Sequence, residues 1–118
     1  MKKDPKIFLE HILQCIELIE EYVEGITKKQ FLESVQLQDS IIRRIEIMGE
    51  AVKNIPKHVK DKYPAIAWKE IAGMRDILIH EYFGVDLGLT WKVAKKDVRS
   101  LRSRILKVKK DLERNKAL

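Results

Sequence analysis

The chain has 118 residues, 45% of them hydrophobic and 36% charged, with a formal net charge of +6. That size and balance fit one soluble globular domain with a modest core and exclude a disordered or low-complexity chain. No run approaches the roughly 18 apolar residues that span a bilayer, and the one cysteine, Cys15, excludes an intrachain disulfide framework or a cysteine-based metal site.

The first segment opens on Asp4-Pro5, an N-cap followed by proline at the first helical position. Phe8, Ile12, Cys15, Ile19, Tyr22 and Ile26 then recur at spacings of four and three, the apolar stripe of a helix that Gly25 ends. Cys15 sits on that stripe and reads as a packing residue. The start, Met1-Lys2-Lys3-Asp4-Pro5, leads into an amphipathic segment rather than a signal-peptide core, so a cytoplasmic location is expected.

Thr27-Lys28-Lys29-Gln30 fits a capping box and predicts a second helix running to about Ile55, with Ile41, Ile45, Met48, Val52 and Ile55 turned inward. Gly49 and Ala51 on that helix permit close approach of a neighbour. Between Pro56 and Pro64 there is room for only one or two turns.

From Ile66 to Tyr82 the chain is free of proline and bounded by Gly84, which predicts a helix of about four to five turns. Trp68, Arg75 and Tyr82 would share one stripe with Ile71, Ala72, Leu78 and Ile79, pushing Arg75 toward the core. An unpaired guanidinium there costs several kcal/mol, so Arg75 must find a carboxylate, a carbonyl or an external anion such as phosphate. Asp76 and His80, four apart, would share a face on which the carboxylate fixes the imidazole tautomer. Residue types alone also allow a plainer reading. In that reading Arg75 and Asp76 form a structural ion-pair network, His80 is favoured by the helix dipole, and Tyr82 is an interface aromatic.

Asp86 or Thr90 starts the last helix, along which Trp91, Ala94, Val98, Leu101, Ile105, Val108 and Leu112 keep a three-four rhythm. That seam is also available to a second protomer. Four long helices and one short one predict an all-α, up-and-down four- to five-helix bundle, a single domain over residues 1–118, with no pattern long enough for a strand. Between Lys92 and Lys116 there are eleven Lys or Arg against three Asp or Glu, so that segment carries +8 and the remainder −2. Such a face either meets phosphates or is simply solvated. His11 and His58 read as surface residues, and no spacing of His, Asp and Glu suggests a zinc site, so no metal is predicted.

Several pieces taken together carry a family resemblance: Asp39-Ser40-Ile41-Ile42-Arg43-Arg44-Ile45-Glu46-Ile47-Met48-Gly49-Glu50-Ala51, Pro64-Ala65-Ile66-Ala67-Trp68, Arg75-Asp76-x3-His80-x-Tyr82, Val85-Asp86 and Trp91. Over nearly its whole length the chain resembles the HepT group of the HEPN superfamily, ribonuclease toxins of prokaryotic toxin–antitoxin pairs. The resemblance places the RNase motif on Arg75 and His80, its polar residue on Asp76, where asparagine is frequent in the family, and its tyrosine on Tyr82. It implies a homodimer whose two motifs form one composite, metal-independent cleft that needs no cofactor. It also implies a partner, an MntA-type nucleotidyltransferase antitoxin that adenylylates the motif tyrosine and silences the toxin.

The chemistry of these residues agrees with that implication. RNA carries its own nucleophile in the 2′-hydroxyl, so metal-free cleavage needs a base, an acid and a cation for the phosphorane. His80 suits the first two roles, divided between two protomers, and Arg75 offers a planar fork to the non-bridging oxygens. A nucleotide on Tyr82 would put bulk and negative charge at the mouth. Lys92, Lys95, Lys96, Arg99 and Arg102, at spacings of three and four, form the candidate track for the RNA backbone. Asp39, Arg43 and Glu50 are the expected partners that hold Arg75 and the cleft. Two other functions fit the same fold: a non-catalytic helical partner of a minimal nucleotidyltransferase, and a basic RNA-binding bundle.

Overall fold

The expected first cap forms: the Asp4 carboxylate accepts from the Lys6 N–H at 3.0 Å and Pro5 follows it, starting α1 (Pro5–Val23). Gly25, with φ 70°, then takes the chain through a left-handed turn that a Cβ would strain. These features appear in a computed structural model, which describes residues 4–80 and 84–117.

The capping box also forms. The Thr27 hydroxyl accepts from the Gln30 N–H at 3.1 Å while the Gln30 side chain accepts from the Thr27 N–H at 2.9 Å. The helix it starts is short, however: α2 (Lys28–Leu32) stops, and α3 (Val35–Lys53) begins again at Ser34, whose hydroxyl accepts from the Leu37 N–H at 3.1 Å. The predicted second helix is therefore two. Gln38 makes the break tolerable by donating to the Phe31 and Leu32 carbonyls at 3.0 and 3.2 Å, the first of which also accepts from the Ser34 N–H at 3.2 Å. The kink lets Phe31 swing fully into the core, where it stacks on Trp91. A single turn, α4 (Lys57–Lys60), fills the proline-flanked stretch as expected.

The largest departure lies in residues 66–82. In place of one long helix there are α5 (Trp68–Ala72), a turn at Gly73, α6 (Met74–Leu78) and strand β1 (Ile79–His80). Gly73 is a poor helix residue, and Ile77 and Ile79 are β-branched, so the segment lacks the propensity to continue. The strand pairs antiparallel with β2 (Gly84–Val85), in register Ile79 to Val85 and His80 to Gly84, and the Asp86 N–H closes the pair on the Leu78 carbonyl at 2.7 Å. Gly84, at φ 77°, serves a hairpin rather than a helix stop.

Asp86 rather than Thr90 is the N-cap of α7 (Leu87–Lys92), accepting from the Leu89 N–H at 3.0 Å. The helix runs on through one wide π turn (Val93–Asp97) into α8 (Val98–Ala117). The long helix α1 packs against α3 on one side and α8 on the other. Leu9, Ile12, Ile16 and Ile19 of α1, Ile41 and Val52 of α3, and Ile105 and Val108 of α8 are all fully buried, giving one continuous core. The architecture is all-α apart from the two-residue ladder. Among the described residues, no helix is long and apolar enough to cross a membrane.

Candidate active site

Gly49 has the close neighbour its sequence position suggested. A Cβ there would lie 3.0 Å from the Ala72 carbonyl oxygen and 3.3 Å from that of Ile71, so α3 and the end of α5 touch through backbone. Trp68 fixes the other end of α5: its buried indole donates to the carbonyls of Lys60 and Tyr63 at 3.2 and 3.1 Å. With α5 anchored at both ends, α6 starts in a defined place beside α3.

On α6, Arg75 does not enter the core; its side chain is 49% exposed. The break at Gly73 rotates it away from the Trp68 stripe. Its Nε donates to Glu46 Oε2 at 2.9 Å, and Nη1 reaches Asp76 Oδ1 at 3.4 Å. Glu46 accepts from Arg43 through its other oxygen. The Arg43 hydrogen bond holds the Glu46 carboxyl below the usual carboxylate range against the opposing effect of burial, with Arg75 adding to the lowering. Arg75 is thus gripped on one edge by an ionised partner. Nη2 has no partner among the described residues.

Of the three residues expected to support Arg75, Arg43 takes part, but only through Glu46. Glu50 pairs instead with Lys53 at 3.2 Å, and Asp39 forms no side-chain hydrogen bond or ion pair among the described residues. Glu46, the residue that does the holding, went unread in the sequence. Its only signal was its place three residues beyond Arg43, on the flank of the Ile41–Ile45–Met48 stripe.

His80 leaves the helix altogether. Its backbone is fixed opposite Gly84 in the ladder, beyond the end of α6, so Asp76 and His80 do not share one helix face as expected. The His80 side chain and Tyr82 lie outside the described residues.

The five cations of the candidate RNA track divide into two groups. Lys95 is turned inward: its ammonium donates to the Val23 carbonyl at 2.9 Å and sits 5.2 Å from the Trp91 ring centroid, capping the C-terminal end of α1. Arg102 pairs with Glu20 of α1 at 2.7 Å. Lys92 makes a loose contact with Asp97 at 3.8 Å, while Lys96 and Arg99 are exposed and without an ion pair among the described residues. Lys95, Arg99 and Arg102 also border a groove whose opposite wall carries Glu17, Glu20, Glu21 and Glu24. Neighbouring carboxylates therefore offset part of the positive field of this track.

Known proteins place the chain firmly. The family model described as "Ribonuclease HepT-like" matches residues 12–108. A Methanocaldococcus jannaschii protein named "Gamma-glutamylcyclotransferase and putative RNase" is 59% identical over 116 residues, covering 98% of this chain and 52% of its own length. The chain thus spans about half of that relative. A protein of Thermococcus cleftensis named "Probable ribonuclease HepT" is 47% identical over 110 residues, 93% of this chain and 100% of its own. No solved structure gives a significant match. Matched over most of its length by the family model and end to end by a relative of its own size, the chain belongs to the ribonuclease HepT-like family of the HEPN superfamily.

Proposed function

We propose that this protein is a metal-independent endoribonuclease that cleaves RNA through Arg75 and His80. The observation that carries the reading is the presentation of Arg75: a half-exposed guanidinium, locked at Nε by Glu46, with Nη2 unpartnered among the described residues. Its remaining contact, to an Asp76 side chain that is 83% exposed, is long and weak, so a phosphate oxygen can displace it. A fork held in this way presents donors where charge grows on the phosphorane and needs little reorganisation during reaction.

In this mechanism a His80 imidazole takes the proton of the 2′-hydroxyl as that oxygen attacks phosphorus. A protonated imidazole, the His80 of a second protomer, gives its proton to the departing 5′-oxygen. The P–O5′ bond breaks as the P–O2′ bond forms, leaving a 2′,3′-cyclic phosphate and a 5′-hydroxyl. Arg75 binds the non-bridging oxygens throughout, and Asp76 assists by orienting the guanidinium until the phosphate takes its place. The site is accordingly a composite of two chains, and the protein acts as a homodimer in the cytoplasm. Lys92, Lys96 and Arg99 are the members of the basic stripe left to meet the RNA backbone, with Lys95 and Arg102 behind them. As part of a toxin–antitoxin pair, the protein is silenced when an MntA-type nucleotidyltransferase adenylylates Tyr82.

The test is incubation of wild type and His80→Ala with mixed RNA in EDTA, with analysis of the new ends. Cyclic-phosphate ends from wild type alone are the expected result. Cleavage that survives His80→Ala and requires added divalent metal would remove the mechanism. RNA left intact by both proteins, with Tyr82 unmodified by mass spectrometry, would point to the non-catalytic partner role.

A further inference from the structure

Helices α5 and α6 pack on α3, and α8 packs on α1. Between them lies a pocket of about 230 Å³ with apolar walls, Ile45 and Met48 from α3, Met74 from α6 and Leu101 from α8. Glu70, Asp97 and Arg104 stand at its polar edge. Arg104 also ties the rim together by donating to the Ala65 carbonyl at 2.7 Å.

Two further observations bear on what the pocket holds. The wide turn Val93–Asp97 lies along it and contributes Val93 and Asp97 to the lining, and such turns recur at functional sites. The pocket also shares its helices with the Arg75 network. Ile45 and Met74 line the pocket, and their chain neighbours Glu46 and Arg75 form the ion pair. A phosphate on Arg75 and a ring in the pocket would therefore lie on adjoining faces of the same two helices.

A protein occupant fits less well. Among the described residues the exposed large apolar side chains are Ile7, Leu32, Val35, Ile77 and Leu106, and none of them lines the pocket, whose own walls fall short of the roughly 800 Å² per partner of a stable interface. The volume is also below the roughly 300–1,000 Å³ of sites for larger ligands. A flat ring with apolar faces and hydrogen-bonding edges matches both walls and rim.

We propose that this pocket receives the nucleobase adjoining the phosphate bound by Arg75, and that its rim favours an amino-bearing base, guanine, cytosine or adenine, over uracil. The carboxylates of Glu70 and Asp97 accept from exocyclic amino groups, and Arg104 donates to ring nitrogens or carbonyl oxygens, as in base-edge recognition generally. The proposal rests on the ribonuclease reading for its location but has a binding readout of its own.

Two of the three methionines, Met48 and Met74, line the pocket, and Met1 provides an internal reference. The experiment is titration of methyl-13C-methionine protein with GMP, CMP, AMP and UMP, alongside end-mapping of cleavage on an RNA containing every dinucleotide step. The Met48 and Met74 methyl signals should move with the amino-bearing nucleotides, at least fivefold more tightly than with UMP. Wild type should disfavour uracil on one side of the cut, and the surface double variant Glu70→Gln/Asp97→Asn should flatten that bias at least threefold. Unmoved methyls with every nucleotide overturn the proposal, as does an unchanged bias in the variant. Methyl shifts that accompany dimer formation and that no nucleotide alters further also overturn it, in favour of a second copy as occupant. Methyl shifts by nucleotide without any RNA cleavage uphold the pocket and instead remove the ribonuclease reading.

Discussion

Gly49→Ala tests whether the backbone contact between α3 and α5 is what places Arg75. The added methyl would meet the Ala72 carbonyl oxygen at 3.0 Å and the Ile71 oxygen at 3.3 Å, both tighter than ordinary packing, so α5 must retreat by a few tenths of an ångström. Neither contact is the end of a flexible side chain. Both belong to the last turn of a helix anchored through Trp68. Overpacking of this kind costs about 1–3 kcal/mol, and replacing glycine within a helix returns about 1 kcal/mol. A net loss of roughly 1 kcal/mol remains, equivalent to a melting temperature lower by about 3–6 °C for a chain of this size. The functional effect should exceed the stability effect, because Glu46 lies three residues before Gly49 and Arg75 three after Ala72. The push that separates α3 from α5 stretches the 2.9 Å Glu46–Arg75 bond. A misplacement of 1 Å at a catalytic group costs about a hundredfold, so a few tenths should lower the single-turnover cleavage rate about three- to tenfold. Thermal melting and single-turnover kinetics at 25 °C, where the variant remains folded, separate the two effects. A Gly49→Ala protein that melts at or above wild type and cleaves at the wild-type rate would refute the reasoning.

Other consequences follow from the same contacts. Glu46→Gln should change stability by less than about 1 kcal/mol, since the pairs it removes are partly exposed. It should nevertheless lower kcat more than it raises KM, because the Arg75 fork loses its charged anchor; equal losses for Glu46→Gln and Arg43→Gln, with KM alone affected, would contradict a positioning role. Lys95→Ala should destabilise by about 1–2 kcal/mol through loss of the Val23 cap and the Trp91 contact. Lys96→Glu/Arg99→Glu should leave the melting temperature unchanged and reduce the salt dependence of RNA binding; the reverse pattern in filter-binding and melting experiments would reassign the stripe. With pH, the depressed carboxyls of Glu46, through Arg43, and of Asp111, through the Tyr63 hydroxyl and then Lys107, contribute stability above the ordinary carboxylate pKa of about 4 and lose it as pH falls further. Tyr63, pushed up by burial and then by Asp111, contributes below pH about 10 and loses that contribution as pH rises through its raised value. Melting temperatures across pH should therefore drop at both ends, and Tyr63→Phe should reduce the alkaline fall, to which Lys57, raised by its hydrogen bond to Asp61, also contributes; an unaltered alkaline limb in Tyr63→Phe would exclude Tyr63 as a source.

What the sequence determined by itself was local. Asp4-Pro5, the Thr27–Gln30 box and Gly25 act within one turn, so their signals are complete in a few residues and the structure honours each. The apolar spacing of α1, α3 and α8 likewise identified an all-α bundle, because period and burial are two views of one helix face. The motif around Arg75 was visible as a set of reactive residues, and the close approach at Gly49 was visible as a missing side chain. The tertiary structure alone decided where those residues point. Nothing in the periodicity of 66–82 reveals that Gly73 breaks the helix or that Ile79 and His80 pair with Gly84 and Val85, since a short apolar run suits a helix or a strand until a neighbour chooses. That choice took Arg75 out of the core and gave it to Glu46, 29 residues earlier in the chain. The packing of the last helix on α1 took Lys95 out of the basic stripe and gave it to the end of α1, 72 residues away. Partners so distant in sequence are brought together only when the helices pack, and the electrostatics of the site are set by those partners rather than by the residues beside them in the chain.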